Sequence, residues 1–305
     1  MKFRLLSIIL CLGLLFPGID ASARKPIKAV VVTGQNNHFW KVSSQAFKIM
    51  LEDSGLFTVD IAVSPEAGKD MSGFNVDFSK YGVVIVDYNG DMWSDQMKKD
   101  FEAYARNGGG IIFYHAADNS FRDWAEYGRM NALGGWGGRN EKDGPYVYWQ
   151  EGGLVRDNAP GFGGSHGPRH EFLLTNRDNN HPVTRGLPEQ WLHGTDELYD
   201  RMRGPGNIDD LLYTSFSYRE KRGSGREEPL VFSVDYGKAR IFHCMLGHAG
   251  ETLENNPAMQ CAGFQTLILR AAEWCATGKV RQKVPADFPT AEKTSFRMDY
   301  RKAGR

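Results

Sequence analysis

The clearest fold signal in the chain is the run Gly108-Gly109-Gly110-Ile111-Ile112-Phe113-Tyr114-His115-Ala116-Ala117-Asp118-Asn119. The glycines are typical of a helix end, and the apolar residues after them predict a buried strand. His115 therefore comes directly after a strand. In an open α/β sheet, ligands and reactive side chains collect at the carboxyl ends of the strands. The run thus predicts both an α/β fold and a polar site that includes His115.

The segments before this run alternate between strand and helix patterns. Residues 27–33 and 82–87 are continuous apolar runs, the pattern of strands that are buried on both faces. Residues 57–63 alternate between apolar and polar side chains, as in a half-buried strand. Apolar residues at helical spacing over 40–53 and after the N-cap Ser94 predict a helix in each connection. This alternation predicts a doubly wound, mostly parallel sheet with right-handed crossovers.

The second half of the chain has a weaker pattern. Residues 124–168 are rich in glycine and aromatic side chains without a period, and we interpret them as a long loop insertion that forms a lid or a binding surface. A last helix is predicted over 257–277, and residues 281–305 form a polar C-terminal tail. Further strands are predicted over 171–175, 211–215, 230–235 and 239–245.

The amino terminus has the pattern of a secretory signal peptide. A basic start is followed by a short apolar run and by Ala21-Ser22-Ala23, which suits cleavage by a signal peptidase. The apolar run is too short to span a bilayer comfortably. We therefore predict a signal peptide over 1–23 with cleavage near Ala23, and one domain over 24–280. The mature protein is expected to be periplasmic or secreted, without a membrane span.

The composition excludes several classes of partner. The chain has 37 Lys plus Arg and 37 Asp plus Glu, so no net charge would attract nucleic acid or an anionic membrane. A phosphate-binding loop and a strand-linked Gly-x-Gly-x-x-Gly are both absent from the sequence, so no nucleotide cofactor is predicted. The 35 glycines and seven tryptophans suit either aromatic sugar-binding surfaces or irregular core connections. Buried free thiols are predicted for Cys244, Cys261 and Cys275, whose spacing fits no zinc motif.

Histidines and carboxylates recur near the predicted strand ends. Such groups suit zinc or manganese, and they also suit proton transfer at a sugar hydroxyl or at a carbon beside a ketone. The segment Gly163-Gly164-Ser165-His166-Gly167 has nucleophile spacing but lacks the strand–turn–helix context. The predicted catalytic residues are His115, His193, Asp196, Glu197 and His248. Three of them, His115, Glu197 and His248, are also predicted to bind a metal. The predicted substrate-binding residues are His38, Asn119, Trp136, His166 and His170.

Several segments in order resemble the trehalose-utilisation (ThuA-like) family. Each segment alone is a weak match, but their order and spacing extend over about residues 28–278. They are Asn180-His181-Pro182-Val183-Thr184-Arg185-Gly186-Leu187-Pro188, Asp196-Glu197-Leu198-Tyr199 and Leu246-Gly247-His248, together with 81–86, 108–117, 236–243, 263–265 and 270–274. The resemblance implies a flavodoxin-like fold similar to class I glutamine amidotransferases. It also implies a role in sugar catabolism, particularly with disaccharides oxidised to 3-keto forms.

The turn at His115 departs from the amidotransferase pattern. In those relatives the corresponding turn carries a catalytic cysteine, whereas here it is His115-Ala116-Ala117, which excludes cysteine-based glutamine hydrolysis. Our leading hypothesis is an exported protein that acts on a sugar or keto-sugar, as an isomerase, lyase or hydrolase. It would use histidine–carboxylate acid–base chemistry, with or without a divalent metal such as zinc or manganese. The alternative hypothesis is a non-catalytic module that binds a glycan.

Overall fold

The structure is a computed structural model that describes residues 25–302. The signal peptide predicted over 1–23 lies outside the described residues. Within 25–302, no helix is long and apolar enough to cross a membrane. The strands are β1 (Ile27–Thr33), β2 (Phe57–Val63), β3 (Val83–Val86), β4 (Gly110–Tyr114), β5 (Tyr146–Gln150), β6 (Gly153–Asp157), β7 (Ser165–His166), β8 (His170–Asn176), β9 (Gln190–Asp196), β10 (Tyr199–Asp200), β11 (Ile208–Phe216), β12 (Glu227–Val234) and β13 (Arg240–Cys244). The helices are α1 (Trp40–Asp53), α2 (Asp95–Arg106), α3 (Ala125–Asn131), α4 (Pro257–Gln260) and α5 (Ala262–Thr277).

The core of the sheet is parallel. Its strands lie in the order β2-β1-β3-β4-β13, which is the order of flavodoxin-like sheets. Every residue of β3 and β4 is buried, as their continuous apolar sequences predict. The flavodoxin-like, doubly wound fold predicted from the sequence is confirmed in this core.

Strand β4 illustrates how helices cover both faces of the core. Phe113 contacts Phe101 of α2, with ring centroids 6.5 Å apart. The next side chain, Tyr114, contacts Phe47 of α1 and Phe264 of α5, at 4.7 and 6.2 Å. Because successive side chains of a strand point to opposite faces, this pair places α2 on one face and α1 and α5 on the other.

Beyond β13 the sheet becomes antiparallel, which the sequence pattern does not predict. The order continues β12-β11-β8-β9, and each strand runs antiparallel to its neighbour. The direction therefore alternates, and β9 runs the same way as the parallel core. As a consequence, the carboxyl end of β9 reaches the same edge of the sheet as the carboxyl ends of β1, β4 and β13.

Residues 124–168 contain more regular structure than a pattern without a period predicts. Helix α3 opens the segment, β5 and β6 form an antiparallel hairpin, and β7 pairs with β10 in a separate two-stranded sheet. The buried guanidinium of Arg139 donates hydrogen bonds to the carbonyls of Asn119, Ser120 and Gly135. Tertiary hydrogen bonds, not local periodicity, therefore order this part of the chain.

The helix predicted over 257–277 is interrupted at Cys261. The backbone of Cys261 is not helical, with φ −57° and ψ 122°, and it forms an isolated β-bridge with Phe296 in the C-terminal tail. The interruption thus has a tertiary cause that lies far away in the sequence. The prediction of buried free thiols is confirmed for Cys244, Cys261 and Cys275.

The C-terminal tail covers β9, the outermost strand of the sheet. The backbone N–H of Leu192 in β9 donates to the carbonyl of Thr290, at 2.8 Å. Phe288 packs against the buried ring of Trp191, with centroids 5.3 Å apart. The polar tail therefore shields an edge that would otherwise be free to pair with another chain.

Candidate metal centre and pocket

Three histidines and a glutamate meet at the edge where strands of one direction end. His38 follows β1, His115 follows β4, Glu197 follows β9 and His248 follows β13. Their convergence is a result of topology, because the carboxyl ends of these strands lie at one edge. One ligand atom from each side chain lies within 4.8 Å of the others. We call His38, His115, Glu197 and His248 the His/Glu cluster.

Glu197 lies at the centre of the His/Glu cluster. Its Oε2 is 3.1 Å from Nδ1 of His248, 3.6 Å from Nε2 of His115 and 3.8 Å from Nε2 of His38. The ring of His38 packs edge-on against the rings of both other histidines, with centroids 4.7 and 4.6 Å apart. The side chains are between 1% and 14% exposed, so little water competes for their ligand atoms.

Hydrogen bonds orient the imidazoles. Nδ1 of His115 lies 2.7 Å from the carbonyl oxygen of Met245, and Nδ1 of His38 lies 3.1 Å from Oδ1 of Asn36. Because these oxygens only accept, each Nδ1 carries a proton and Nε2 is the nitrogen left to bind a metal. His248 presents Nδ1, which is buried, touches Glu197 and makes no well-aligned hydrogen bond. All three rings therefore turn a ligand atom toward the same point.

His115 has an unusual backbone conformation. Its φ is 46°, in the left-handed region that non-glycine residues rarely adopt, and it begins the 3-10 turn His115–Asn119. Strained residues of this kind persist where surrounding contacts hold them, and they concentrate at functional sites. In this conformation the ring of His115 contacts the carbonyl of Met245 and joins the cluster.

The side chains of the cluster control one another's protonation. Burial lowers the pKa of His38 to about 4, so this ring is neutral near neutral pH. Burial would raise the pKa of Glu197, but the imidazoles of His115, His248 and His38 around its carboxylate hold that pKa well below the usual carboxyl range. Burial would lower the pKa of His115, but Glu197 and the charge of Asp196 outweigh it and raise that pKa. The cluster therefore holds a carboxylate, and a metal would displace a proton from His115.

Three members of the cluster, His38, Glu197 and His248, line a cavity of about 440 Å³, whereas the buried ring of His115 is not part of its wall. Three amide side chains, Asn37, Asn89 and Asn119, and the ring of Trp136 also line it. Among the described residues that line this cavity, none is a lysine or arginine. Amides that can both donate and accept, beside an aromatic face, suit a neutral ligand with many hydroxyl groups.

A larger cavity, of about 770 Å³, lies at the opposite end of the parallel strands. Gly82 and Gly109, which precede β3 and β4, contribute to its wall. It contains none of the predicted site residues. The smaller cavity is the functional candidate because the convergent histidines and perturbed pKa values are found there.

His166 and Tyr199, on the two-stranded sheet of β7 and β10, complete the pocket. Nε2 of His166 lies 3.7 Å from Oε1 of Glu197, and its Nδ1 lies 2.7 Å from the carbonyl of Gly167. Nε2 of His166 is therefore left as a proton acceptor beside the cluster. The Tyr199 hydroxyl lies 3.0 Å from Nε2 of His115, and the two rings stack at 4.5 Å. A base and a phenol thus stand next to the candidate metal ligands.

Most residues that the sequence predicts for the site are brought together. The metal-ligand candidates His115, Glu197 and His248 meet, and His38, predicted to bind substrate, joins them as a fourth potential ligand. The other predicted substrate-binding residues that line the cavity are Asn119, Trp136 and His166.

Three other predicted residues lie elsewhere. His193 and Asp196 are fully buried behind Glu197 and do not line the cavity, although both are predicted to be catalytic. Burial would lower the pKa of His193, but the Cys261 thiol and Asp196 raise it to about 9, whereas His193 helps to lower the pKa of Asp196 against burial. His170, predicted to bind substrate, lies in a separate groove beside Phe172.

Sequence reasoning missed three polar side chains of the pocket, those of Tyr199, Asn89 and Asn37. Tyr199 stands two positions after Glu197, and this spacing places both side chains on one face of an extended chain. Asn89 follows β3 and Asn37 precedes His38, so both stand where strand ends meet. Their positions near strand ends could have indicated them, but asparagine and tyrosine are less diagnostic of a functional site than histidine.

Comparisons with known proteins agree with the resemblance seen in the sequence. The family model ThuA, described as trehalose utilisation, matches residues 28–275. A crystal structure of a ThuA-like protein from Parabacteroides merdae is 62% identical, with a TM-score of 0.90 over 91% of this chain and 100% of that chain. A ThuA-like protein from Bacteroides uniformis is similar in fold, at 20% identity and a TM-score of 0.55 over 87% and 97% of the two chains. A search of curated proteins found no match. The chain belongs to the ThuA family, the family of trehalose utilisation.

Proposed function

We propose that this protein is an exported, metal-dependent enzyme that performs acid–base chemistry on a neutral sugar or keto-sugar. The observation that carries the proposal is the His/Glu cluster, whose ligand atoms lie within 4.8 Å of one another. Membership of a trehalose-utilisation family supports the choice of a carbohydrate as substrate. Export follows from the signal peptide predicted over 1–23.

The donor set of the cluster fits a divalent metal. Three imidazole nitrogens and a carboxylate oxygen suit zinc or manganese, and the orienting contacts from Met245 and Asn36 are those that metal-binding histidines usually have. The residues that would hold the ion are those of the His/Glu cluster. A bound divalent ion supplies a Lewis acid for a keto or hydroxyl oxygen of the sugar.

Other residues of the pocket would handle protons and orient the substrate. His166 offers Nε2 as the acceptor for a proton on the carbon beside the sugar ketone, and Tyr199 offers a hydroxyl that lies 3.0 Å from Nε2 of His115. The amides of Asn37, Asn89 and Asn119 would bind sugar hydroxyls. A phosphorylated sugar is disfavoured, since no lysine or arginine among the described residues lines the cavity.

The proposal is tested by metal analysis and a turnover screen. Purified mature protein is expected to contain near-stoichiometric zinc, manganese or a similar ion, and to lose it to a chelator. Incubated with 3-keto-disaccharides, the wild type is expected to consume substrate, and His115→Ala to slow turnover by about a hundredfold or more. His170→Ala is the matched control, because this histidine lies outside the cavity.

The same screen separates the enzyme from a glycan-binding module. A protein that binds the sugar but leaves it unchanged, in wild type and His115→Ala alike, would contradict the catalytic proposal and support the module. A protein that turns the sugar over without metal, and is indifferent to a chelator, would contradict the metal centre alone.

A further inference from the structure

A buried ion pair lies behind the cavity, outside the His/Glu cluster. His193 and Asp196 are both 0% exposed, and Nε2 of the histidine is 2.8 Å from Oδ2 of the aspartate. Taking two charged groups out of water costs more than one isolated contact usually returns, unless further hydrogen bonds satisfy them. The further hydrogen bonds made by Asp196 therefore indicate what the pair does.

Those hydrogen bonds come from the backbone of the cluster itself. Oδ1 of Asp196 accepts from the N–H of Glu197 at 2.7 Å and from the N–H of His248 at 3.0 Å. Oδ2 accepts from the N–H of Gly247 at 2.6 Å, in addition to His193. A single carboxylate thus joins the end of β9 to the loop after β13. These two segments carry Glu197 and His248, whose side chains approach to 3.1 Å.

We propose that Asp196, held by His193, is a positioning residue that fixes Glu197 and His248 in the geometry that binds the metal. The inference rests on the proposed metal centre but assigns the pair no contact with substrate or ion. The arrangement needs a carboxylate, because four N–H donors converge on its two oxygens. An asparagine has one acceptor oxygen, and its amide N–H₂ would face backbone donors.

Loss of this positioning is expected to lower the metal affinity by a measurable factor. The groups that orient metal ligands typically change metal affinity by about ten- to hundredfold when they are removed. Asp196→Asn is therefore expected to weaken binding of Zn²⁺ to the full mature chain by about ten- to hundredfold, measured by competition with a chromogenic chelator. Co²⁺ absorption reports ligand geometry, and we expect its d–d bands to shift or weaken in the variant.

A matched control variant distinguishes a loss of ligand positioning from a general loss of stability. Glu228 on β12 is also a buried carboxyl group; it accepts a hydrogen bond from Ser224 and makes no contact with the cluster. Glu228→Gln is expected to keep the wild-type Zn²⁺ affinity and Co²⁺ spectrum, even if it lowers thermal stability as much as Asp196→Asn does. His193→Gln keeps an N–H donor toward Asp196 and is expected to weaken Zn²⁺ binding less than Asp196→Asn does.

The outcomes are distinguishable. If the wild type binds neither Zn²⁺ nor Co²⁺, the proposed metal centre fails, and this inference fails with it. If the wild type binds metal and a folded Asp196→Asn binds it equally well with the same spectrum, only the positioning role is overturned. If Asp196→Asn does not fold, His193→Ala decides, because it removes the N–H donor toward Asp196. A weaker Zn²⁺ affinity at wild-type fold supports the role, and an unchanged affinity overturns it.

Discussion

Asp118 is the buried carboxyl group whose surroundings are least compensated. It belongs to the 3-10 turn His115–Asn119, is 0% exposed, and within residues 25–302 neither of its carboxyl oxygens has a hydrogen-bond partner. Burial raises its pKa from 3.8 to about 8, against the opposing charges of His115 and Arg139. The folded protein therefore keeps the proton to a much higher pH than the unfolded chain does.

This difference predicts how stability depends on pH. Between about pH 4 and about pH 8 the unfolded chain has lost the Asp118 proton while the folded protein keeps it, so stability falls as the pH rises. We expect the unfolding free energy of wild type minus that of Asp118→Asn to fall by about 1.4 kcal/mol per pH unit across the middle of this range. Denaturant unfolding at a series of pH values measures the slope. A difference that does not change with pH would contradict the assignment.

At the residue scale, the sequence predicts which side chains matter better than which way they face. His115 and His248 are predicted correctly as neighbours, because each follows an apolar strand. The segment 193–197 offers a histidine and two carboxylates, but it lacks an apolar pattern and is not predicted as a strand. Without the strand, nothing separates Glu197, which faces the cavity, from Asp196, which is buried behind it.

At the scale of elements, the approach of α5 to β9 depends on a glycine. A Cβ on Gly263 would lie 2.4 Å from the ring of Trp191, which is fully buried in β9. Forcing an extra carbon into a packed core costs about 1–3 kcal/mol, whereas an alanine in a helix gains about 1 kcal/mol over glycine. Gly263→Ala is therefore expected to lower the unfolding free energy, as measured with denaturant.

Helix α3 supplies the control for this prediction. A Cβ on Gly128 would meet no atom within 4 Å, so Gly128→Ala gains helix propensity without a clash. We expect it to leave stability unchanged or to raise it by up to about 1 kcal/mol. If both alanine variants changed stability in the same direction, close packing between α5 and β9 would not be the reason.

The sequence predicts those strands and helices whose apolar residues recur with a regular period. The apolar runs of β1, β3 and β4 and the helical spacing of α1 and α2 give their bounds to within a few residues. The hairpin of β5 and β6 pairs with β12 through Trp149 and Glu227, and the break at Cys261 is bridged by Phe296, so both depend on partners that are distant in the sequence. A local pattern carries no information about such contacts.

At the scale of the whole molecule, the C-terminal tail closes the open edge of the sheet. Its contacts with β9 are the hydrogen bond from Leu192 to Thr290 and the packing of Phe288 on Trp191. Deleting residues 284–305 would uncover an edge strand and an apolar face, which favours association between chains. We expect a lower melting temperature and concentration-dependent association, measured by light scattering. Met298→Ala, a change at an exposed side chain of the tail, is expected to alter neither.

The four candidate metal ligands come from parts of the chain that are synthesised at different times. His38 and His115 follow β1 and β4, which leave the ribosome early, whereas Glu197 and His248 follow β9 and β13, which are synthesised much later. An ion could therefore not be held by a partly made chain, and its capture would follow closure of the entire sheet. Because the ion would bind only the folded protein, it would also shift the folding equilibrium toward the folded state. A bound ion would thus be found only in molecules whose sheet is completely folded.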